Sequence, residues 1–232
     1  MLMRVKKSLK EENWIIFNQK ISRGTMKKLK IAVVIPPFTT LPAHGQGGTE
    51  RIAEGMINEL LIRGHKVTLL GAGRCKTKAK FIQIFSKTIS EQNFNTAYTE
   101  AARALRIETA YITKVMDFIS KNDGKFDVIF NHMRGGYLML PLAKYLKNPI
   151  ISIMHLPIFN EVGEVLKLFK SPNIITISNN QRKPVPKVKY LATVYNGINI
   201  SEFKFDDKPE DYFLFIGAMG EYKTPHLAIQ AG

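Results

Sequence analysis

The chain has almost no cysteine. Cys75 is alone in 232 residues, which excludes an intramolecular disulfide and any metal site built from cysteines. No apolar stretch approaches the roughly 20 residues of a membrane-spanning helix. No secretory apolar core is followed by a small-residue cleavage site. Acidic residues are scarce, 19 against 34 basic ones, for a net charge of +15. Dinucleotide chemistry also lacks its signature. Gly45-x-Gly47-Gly48 lies too far beyond the first strand and has the wrong final spacing for the fingerprint that cradles a pyrophosphate. No internal repeat or low-complexity segment is present. These absences lead us to expect a cytoplasmic globular protein, with peripheral membrane contact left open.

The positive charge is uneven. Residues 1–30 carry nine basic groups against Glu11 and Glu12, a net +7. A basic surface favours anionic partners such as nucleotide diphosphates, anionic lipid or nucleic acid, although a solvated lysine-rich surface explains it equally. Aromatic and basic residues do not interleave as in nucleic-acid readers, so no nucleic-acid partner is expected. Residues 1–26 hold one apolar cluster, Trp14-Ile15-Ile16-Phe17, and read as a basic N-terminal extension. Either they form an amphipathic membrane-surface helix, or they play little part in the fold and the domain begins at Met26.

What is present is a strict alternation. Lys30–Ile35 is a β-branched strand that breaks at Pro36-Pro37. A loop leads to Gly47-Gly48-Thr49-Glu50, and an amphipathic helix follows to about Arg63. Gly64-His65-Lys66 then precedes a strand at Val67–Leu70 and a turn at Gly71-Ala72-Gly73. Residues 79–89 are apolar in patches. The spacing of Ala101, Ala102, Leu105, Ile112, Val115, Met116 and Ile119 predicts a helix over Thr96–Ser120. Strands are expected at Phe126–Phe130, Pro149–Met154, Asn173–Ile177 and Ala192–Tyr195, with helices at Gly135–Leu146 and Glu161–Phe169. This pattern predicts an α/β fold: a Rossmann-like, doubly wound parallel sheet over residues 27–205. His132, His155, Ser178 and Asn196 each fall just after a strand, at the edge where such sheets bind ligands. Asp206–Asp211 reads as a linker. Tyr212–Gly217 reads as a new strand and His226 as near a helix start, so residues 206–232 form the incomplete start of a second domain.

Six pieces in this order resemble glycosyltransferase family 4, retaining enzymes of GT-B architecture. They are Gly47-Gly48-Thr49-Glu50; Arg63–Thr68; Phe126-Asp127-Val128-Ile129; Ile153-Met154-His155 with Ile177–Arg182; Val194–Ile198; and Phe213–Gly217. The resemblance implies two Rossmann-like domains facing a cleft, the N-terminal one holding the acceptor and the C-terminal one a nucleotide-sugar donor. It therefore implies hexosyl transfer with retention, and a chain that is truncated or split and inactive alone. The alternative is a non-catalytic sugar- or lipid-binding module derived from such an enzyme.

The resemblance also implies a site. His155 matches the family's active-site histidine, which contributes a hydrogen bond or positive charge near the transferred sugar. Gly47 and Gly48 would let backbone approach the ligand, with Thr49 and Glu50 opening the helix. The dipole alone would also favour a carboxylate at Glu50. His132, which matches the family more loosely, and Ser178 join the candidate donor- or acceptor-binding residues by their place after a strand. Asn196-Gly197 reads first as a turn, and its backbone lies on the family's path between the two domains. Lys223 matches a lysine that clamps the donor diphosphate. The chain departs from the family at Ala218, where an arginine is expected, and Ala218 supplies no charge. The family's paired glutamates would fall beyond Gly232. No cofactor or metal is implied. The expected partners are a nucleotide-sugar donor, given a complete donor domain, a sugar, glycan or lipid-linked acceptor, and a complementary C-terminal half.

Overall fold

A computed structural model describes residues 27–92, 97–208, 211–217 and 219–231. The N-terminal extension and Ala218 lie outside the described residues. In chain order the elements are β1 (Lys30–Val34), α1 (Gly48–Ile62), β2 (Lys66–Ala72), β3 (Lys80–Phe85), α2 (Ala97–Lys121), β4 (Val128–Asn131), α3 (Leu140–Ala143), β5 (Ile150–Met154), α4 (Asn160–Lys167), β6 (Ile174–Thr176), β7 (Ala192–Thr193) and α5 (Pro225–Ala231). The strands form one seven-stranded parallel sheet in the order β3-β2-β1-β4-β5-β6-β7. This is the doubly wound order, with the reversal of direction between β1 and β4.

The hand of the crossovers settles which helix lies on which face. The chain moves one way along the sheet from β1 to β3 and the other way from β4 to β7. Connections of one hand therefore place α1 on one face and α2, α3 and α4 on the opposite face. The strands show this residue by residue. Ile31, Val33 and Ile35 pack with Ala53 and Ile57 of α1. The alternate residues Ala32 and Val34 pack with Tyr111, Ile112, Val115 and Ile119 of α2. Met154 and Ile174 meet Val162 and Leu166 of α4.

Four local expectations are corrected. Residues 80–85 form β3, which the sequence signalled only as apolar patches. Gly71-Ala72 is the end of β2 rather than a turn, with a register shift against β3 there. The helix expected over Gly135–Leu146 is a 3-10 turn at Gly136–Met139 followed by the short α3, because Pro141 lacks an N–H and its ring crowds the preceding turn. The apolar run Tyr212–Ile216 forms no strand and is exposed; among the described residues it has no neighbouring strand to satisfy its backbone. In α2 the apolar stripe is buried only from Tyr111 onward, and Ala101, Ala102 and Leu105 face water.

Tyr111 gives a test of the core. Its ring is fully buried and meets Phe85 edge-to-face at 5.6 Å, but its hydroxyl has no partner among the described residues, and burial pushes its pKa well up. Tyr111→Phe should raise stability by about 1 kcal/mol by removing an unsatisfied buried group. Tyr111→Ala should lower it by about 3–5 kcal/mol. Urea unfolding followed by circular dichroism measures both.

Candidate functional site

The loops at the carboxyl edge of the sheet converge on a cavity of about 670 Å³. It is lined by Phe38, Gly47, Gly48, Thr49, Glu50, Arg51, Arg134, His155, Asn196 and Lys223, among others. The first wall comes from β1 and α1. The chain between them is pinned to the loop after β3, where the amides of Ile89 and Ser90 donate to the carbonyls of Pro37 and Phe38 at 2.7 and 3.0 Å. Arg51 reaches back from α1 to donate to the carbonyls of Ala43 and Gly45 at 3.2 and 2.7 Å, bracing the glycine turn. Gly47 has φ 152°, and a Cβ there would stand 2.9 Å from both Thr39 and Ala43. It is glycine because of the turn. Gly48 differs: a Cβ there would meet nothing within 4 Å, so its backbone is open to the cavity at the first turn of α1.

Glu50 is only 2% exposed, and its Oε1 has no partner among the described residues. Burial raises its pKa, against the backbone N–H groups of Glu50 and Thr39 and the charges of Arg134 and Arg51, which pull it down. A carboxyl placed this way can take a hydrogen bond from a hydroxyl or, protonated, give one.

The second wall comes from β4 and β5. Buried Asn131 donates from Nδ2 to the Gly136 carbonyl and Ser152 Oγ, and its Oδ1 accepts from the Met133 amide. These bonds fold the exit of β4 so that His132 turns inward and Arg134 outward. Arg134 pairs with Glu108 through two hydrogen bonds of 3.3 and 3.1 Å and stacks over Phe38. His132 is 1% exposed, and its Nδ1 lies 2.9 Å from Nε2 of His155, the rings stacked at 20°. Burial of the pair favours the neutral forms: His155 falls to about 4, and His132, which also feels His155, to about 3. At neutral pH His155 therefore offers a hydrogen bond.

Gln181 holds β5's exit in place. Its Nε2 donates to the carbonyls of Met154 and Leu156, on either side of His155, and its Oε1 accepts from the Ile177 amide. Sequence reasoning placed Gln181 in a motif but gave it no role. Only its position four residues after a strand end hinted at one. Arg134 was also missed, although it follows a strand just as His132 does.

Of the residues expected at the site, Gly47, Gly48, Thr49, Glu50, His155, Asn196 and Lys223 line one cavity. His132 and Gly197 instead line a larger one of about 770 Å³, to which Asn196 also belongs. Ser178 lines neither. Its Oγ accepts from the Gln181 amide at 3.3 Å, capping the turn after β6. Among the described residues no group of three or more His, Cys, Asp or Glu side chains could hold a metal ion, and no helix is long and apolar enough to cross a membrane.

The larger cavity is a consequence of topology. With α2, α3 and α4 on the opposite face, no described residue of the strand connections between β4 and β7 forms a helix over the α1 face of β4–β7. Ile52, Met56 and Ile62 of α1 form one side of the groove, and Phe130, Ile153 and Ile175 the other.

No family model matches the chain, and no curated protein matches it. Twenty solved chains are similar. Among them is AviGT4, a glycosyltransferase involved in avilamycin A biosynthesis, at 17% sequence identity and a TM-score of 0.48 over 76% of this chain and 44% of that one. The chain thus spans less than half the length of that enzyme.

Acid stability tests the histidine pair. Each histidine binds protons more readily unfolded, near 6.5, than folded. Stability should therefore fall as pH drops below about 6.5, by about 1.4 kcal/mol per pH unit for each histidine, until the folded values are reached. Glu50, raised in the fold, contributes with the opposite sign. His132→Gln keeps that contribution and should flatten the fall between pH 6 and 4.5 by about half. Urea midpoints measured over this range decide it, and identical slopes would show that the pair is not buried as described.

Proposed function

We propose that the chain is the acceptor-side part of a retaining glycosyltransferase of family 4, moving a hexosyl group from a nucleotide-sugar donor to an acceptor hydroxyl. In this reading residues 27–205 bind the acceptor, and residues 206–232 are the linker and start of the donor-binding part. The observation that carries it is the meeting, at one strand edge, of an open glycine turn, the buried and half-satisfied Glu50, neutral His155 and Lys223.

Each supports one part of the chemistry. Transfer breaks the bond between the anomeric carbon and the diphosphate oxygen and forms one to the acceptor oxygen, whose proton leaves with the diphosphate. Sugar hydroxyls need partners that both give and accept hydrogen bonds, and the Glu50 carboxyl and the His155 ring, which line the cavity, would supply these. Charge growing on the diphosphate is stabilised by cations and backbone N–H groups already in place. Lys223 and the first turn of α1, with Gly48 open to the cavity, face that role. Arg134 adds a cation, but its charge is shared with Glu108. In this reading the donor's base and ribose are held by a donor-binding half rather than by residues 27–205, and a complementary C-terminal half is the partner it proposes. The second reading, a non-catalytic sugar- or lipid-binding module, is favoured by one observation: Ala218 stands where the family carries an arginine.

Two outcomes test the proposal. The chain by itself should bind UDP- and GDP-sugars weakly, and titration calorimetry giving a low-micromolar dissociation constant would overturn the assignment of base and ribose elsewhere. When a family donor half is supplied as a second chain and transfer is seen, His155→Ala should lower turnover by about 10²–10³, the effect of removing a hydrogen bond made in the transition state. Ser178→Ala, a turn cap outside the cavity, should change it little. Equal effects would remove His155 from the site.

A further inference from the structure

Beside the polar cavity lies a smaller one of about 280 Å³. It is walled by α2, by the turn after β4 and by the chain from the end of β5 into α4. Its lining is mostly apolar and includes Ile112, Leu138, Met154, Phe159 and Val162. Arg134 and Leu156 belong to both cavities. The two spaces therefore adjoin at the exit of β5, where His155 lines the polar one and the next residue lines both.

Four large apolar side chains of this lining remain in water: Leu105 is 63% exposed, Leu138 43%, Leu156 47% and Phe159 57%. Single exposed apolar residues are ordinary on any protein. Four around one concavity that opens beside a polar site are different, because apolar walls with a few convergent polar groups are what small-molecule sites are made of. The core does not require them here. The buried part of α2 begins at Tyr111, and Leu105 lies beyond it. Leu156 and Phe159 sit in the segment between β5 and α4, whose burial needs are met by Ile158, 2% exposed. The Glu108–Arg134 ion pair stands at the junction, so the change from polar to apolar lining is abrupt.

The geometry points to an amphiphilic acceptor: a hydroxyl-bearing head at Glu50 and His155, joined to an aliphatic chain that crosses Leu156 and fills the cavity beneath Leu138 and Phe159. This rests on the sugar-transfer reading of the polar cavity and names the class of acceptor it takes. The chain leaves water and covers the four exposed side chains. Each methylene buried should tighten binding by about fourfold until the cavity is full. The head alone gains nothing from that surface.

The test is a homologous series of n-alkyl β-D-glucosides, methyl to octyl, kept below micelle formation and titrated against the full chain by calorimetry. A parallel series of n-alkyl phosphates separates a sugar head from an anionic one. Affinity should climb about fifteenfold per added carbon pair and then level off in the glucoside series; a climb confined to the phosphate series overturns the hydroxyl-bearing head. Leu138→Ser and Phe159→Ser, both at exposed positions, should flatten the climb by tenfold or more at the longest chain. Ile62→Ser and Ile198→Ser, exposed residues of the larger groove, should leave it unchanged. A flat series for both heads overturns the inference, as does a climb that only the groove variants abolish. So does attachment to phospholipid vesicles without any dependence on monomeric chain length. Glu50→Gln and His155→Ala read the other question. If the climb persists in both and neither weakens the head, the apolar subsite stands and the sugar-transfer reading fails.

Discussion

Parallel strands can be joined only by crossovers, and crossovers of one hand put successive helices on a face set by the direction of travel. In this protein that constraint decides more than any single contact. The reversal between β1 and β4 separates α1 from the other sheet helices and brings the exits of β1, β4, β5 and β7 to one edge. Among the described residues it also leaves the α1 face of β4–β7 without a covering helix. The polar cavity and the large apolar groove are two results of the same winding, and Asn196 belongs to both.

Within that frame the site is held by buried amides. Asn131 closes the exit of β4 on itself, and Gln181 ties the exits of β5 and β6 together. Each side-chain amide carries two donors and a carbonyl acceptor, so one residue can satisfy several backbone groups that a strand end would leave unpaired in the interior. Placing His132 and His155 in contact under this scaffold costs their protonation. Two imidazoles 2.9 Å apart and shielded from water cannot both carry charge. The cavity therefore presents neutral hydrogen-bonding groups in its middle and cations at its margin.

Much of this was legible before folding. The strand and helix order followed from alternation and from glycine and proline punctuation, and most residues placed at the ligand edge do line a cavity there. The exceptions are instructive. β3 was missed because Lys80–Phe85 lies between other elements without strong turn signals, and its strand character comes from pairing with β2. The run Tyr212–Ile216 has every local mark of a strand and forms none, since a strand is defined by a partner. Ser178 follows a strand as His155 does, yet it caps a turn. Position after a strand gives a residue access to the edge, while its direction depends on how the next few residues fold.

By itself the sequence determined the class of fold, the order of its elements and the list of polar residues at one edge, because these depend on periodicity and on short-range backbone chemistry. Only the tertiary structure decided that His132 lies against His155, that burial favours the neutral form of both, that Glu50 is buried with one oxygen unpartnered among the described residues, and that an apolar cavity adjoins the polar one. Those facts come from desolvation and from contacts between residues far apart in the chain. His132 and His155 are 23 positions apart, and Arg134 and Glu108 are 26. No local pattern encodes the environment such pairs share, because it exists only after the sheet has brought their elements together.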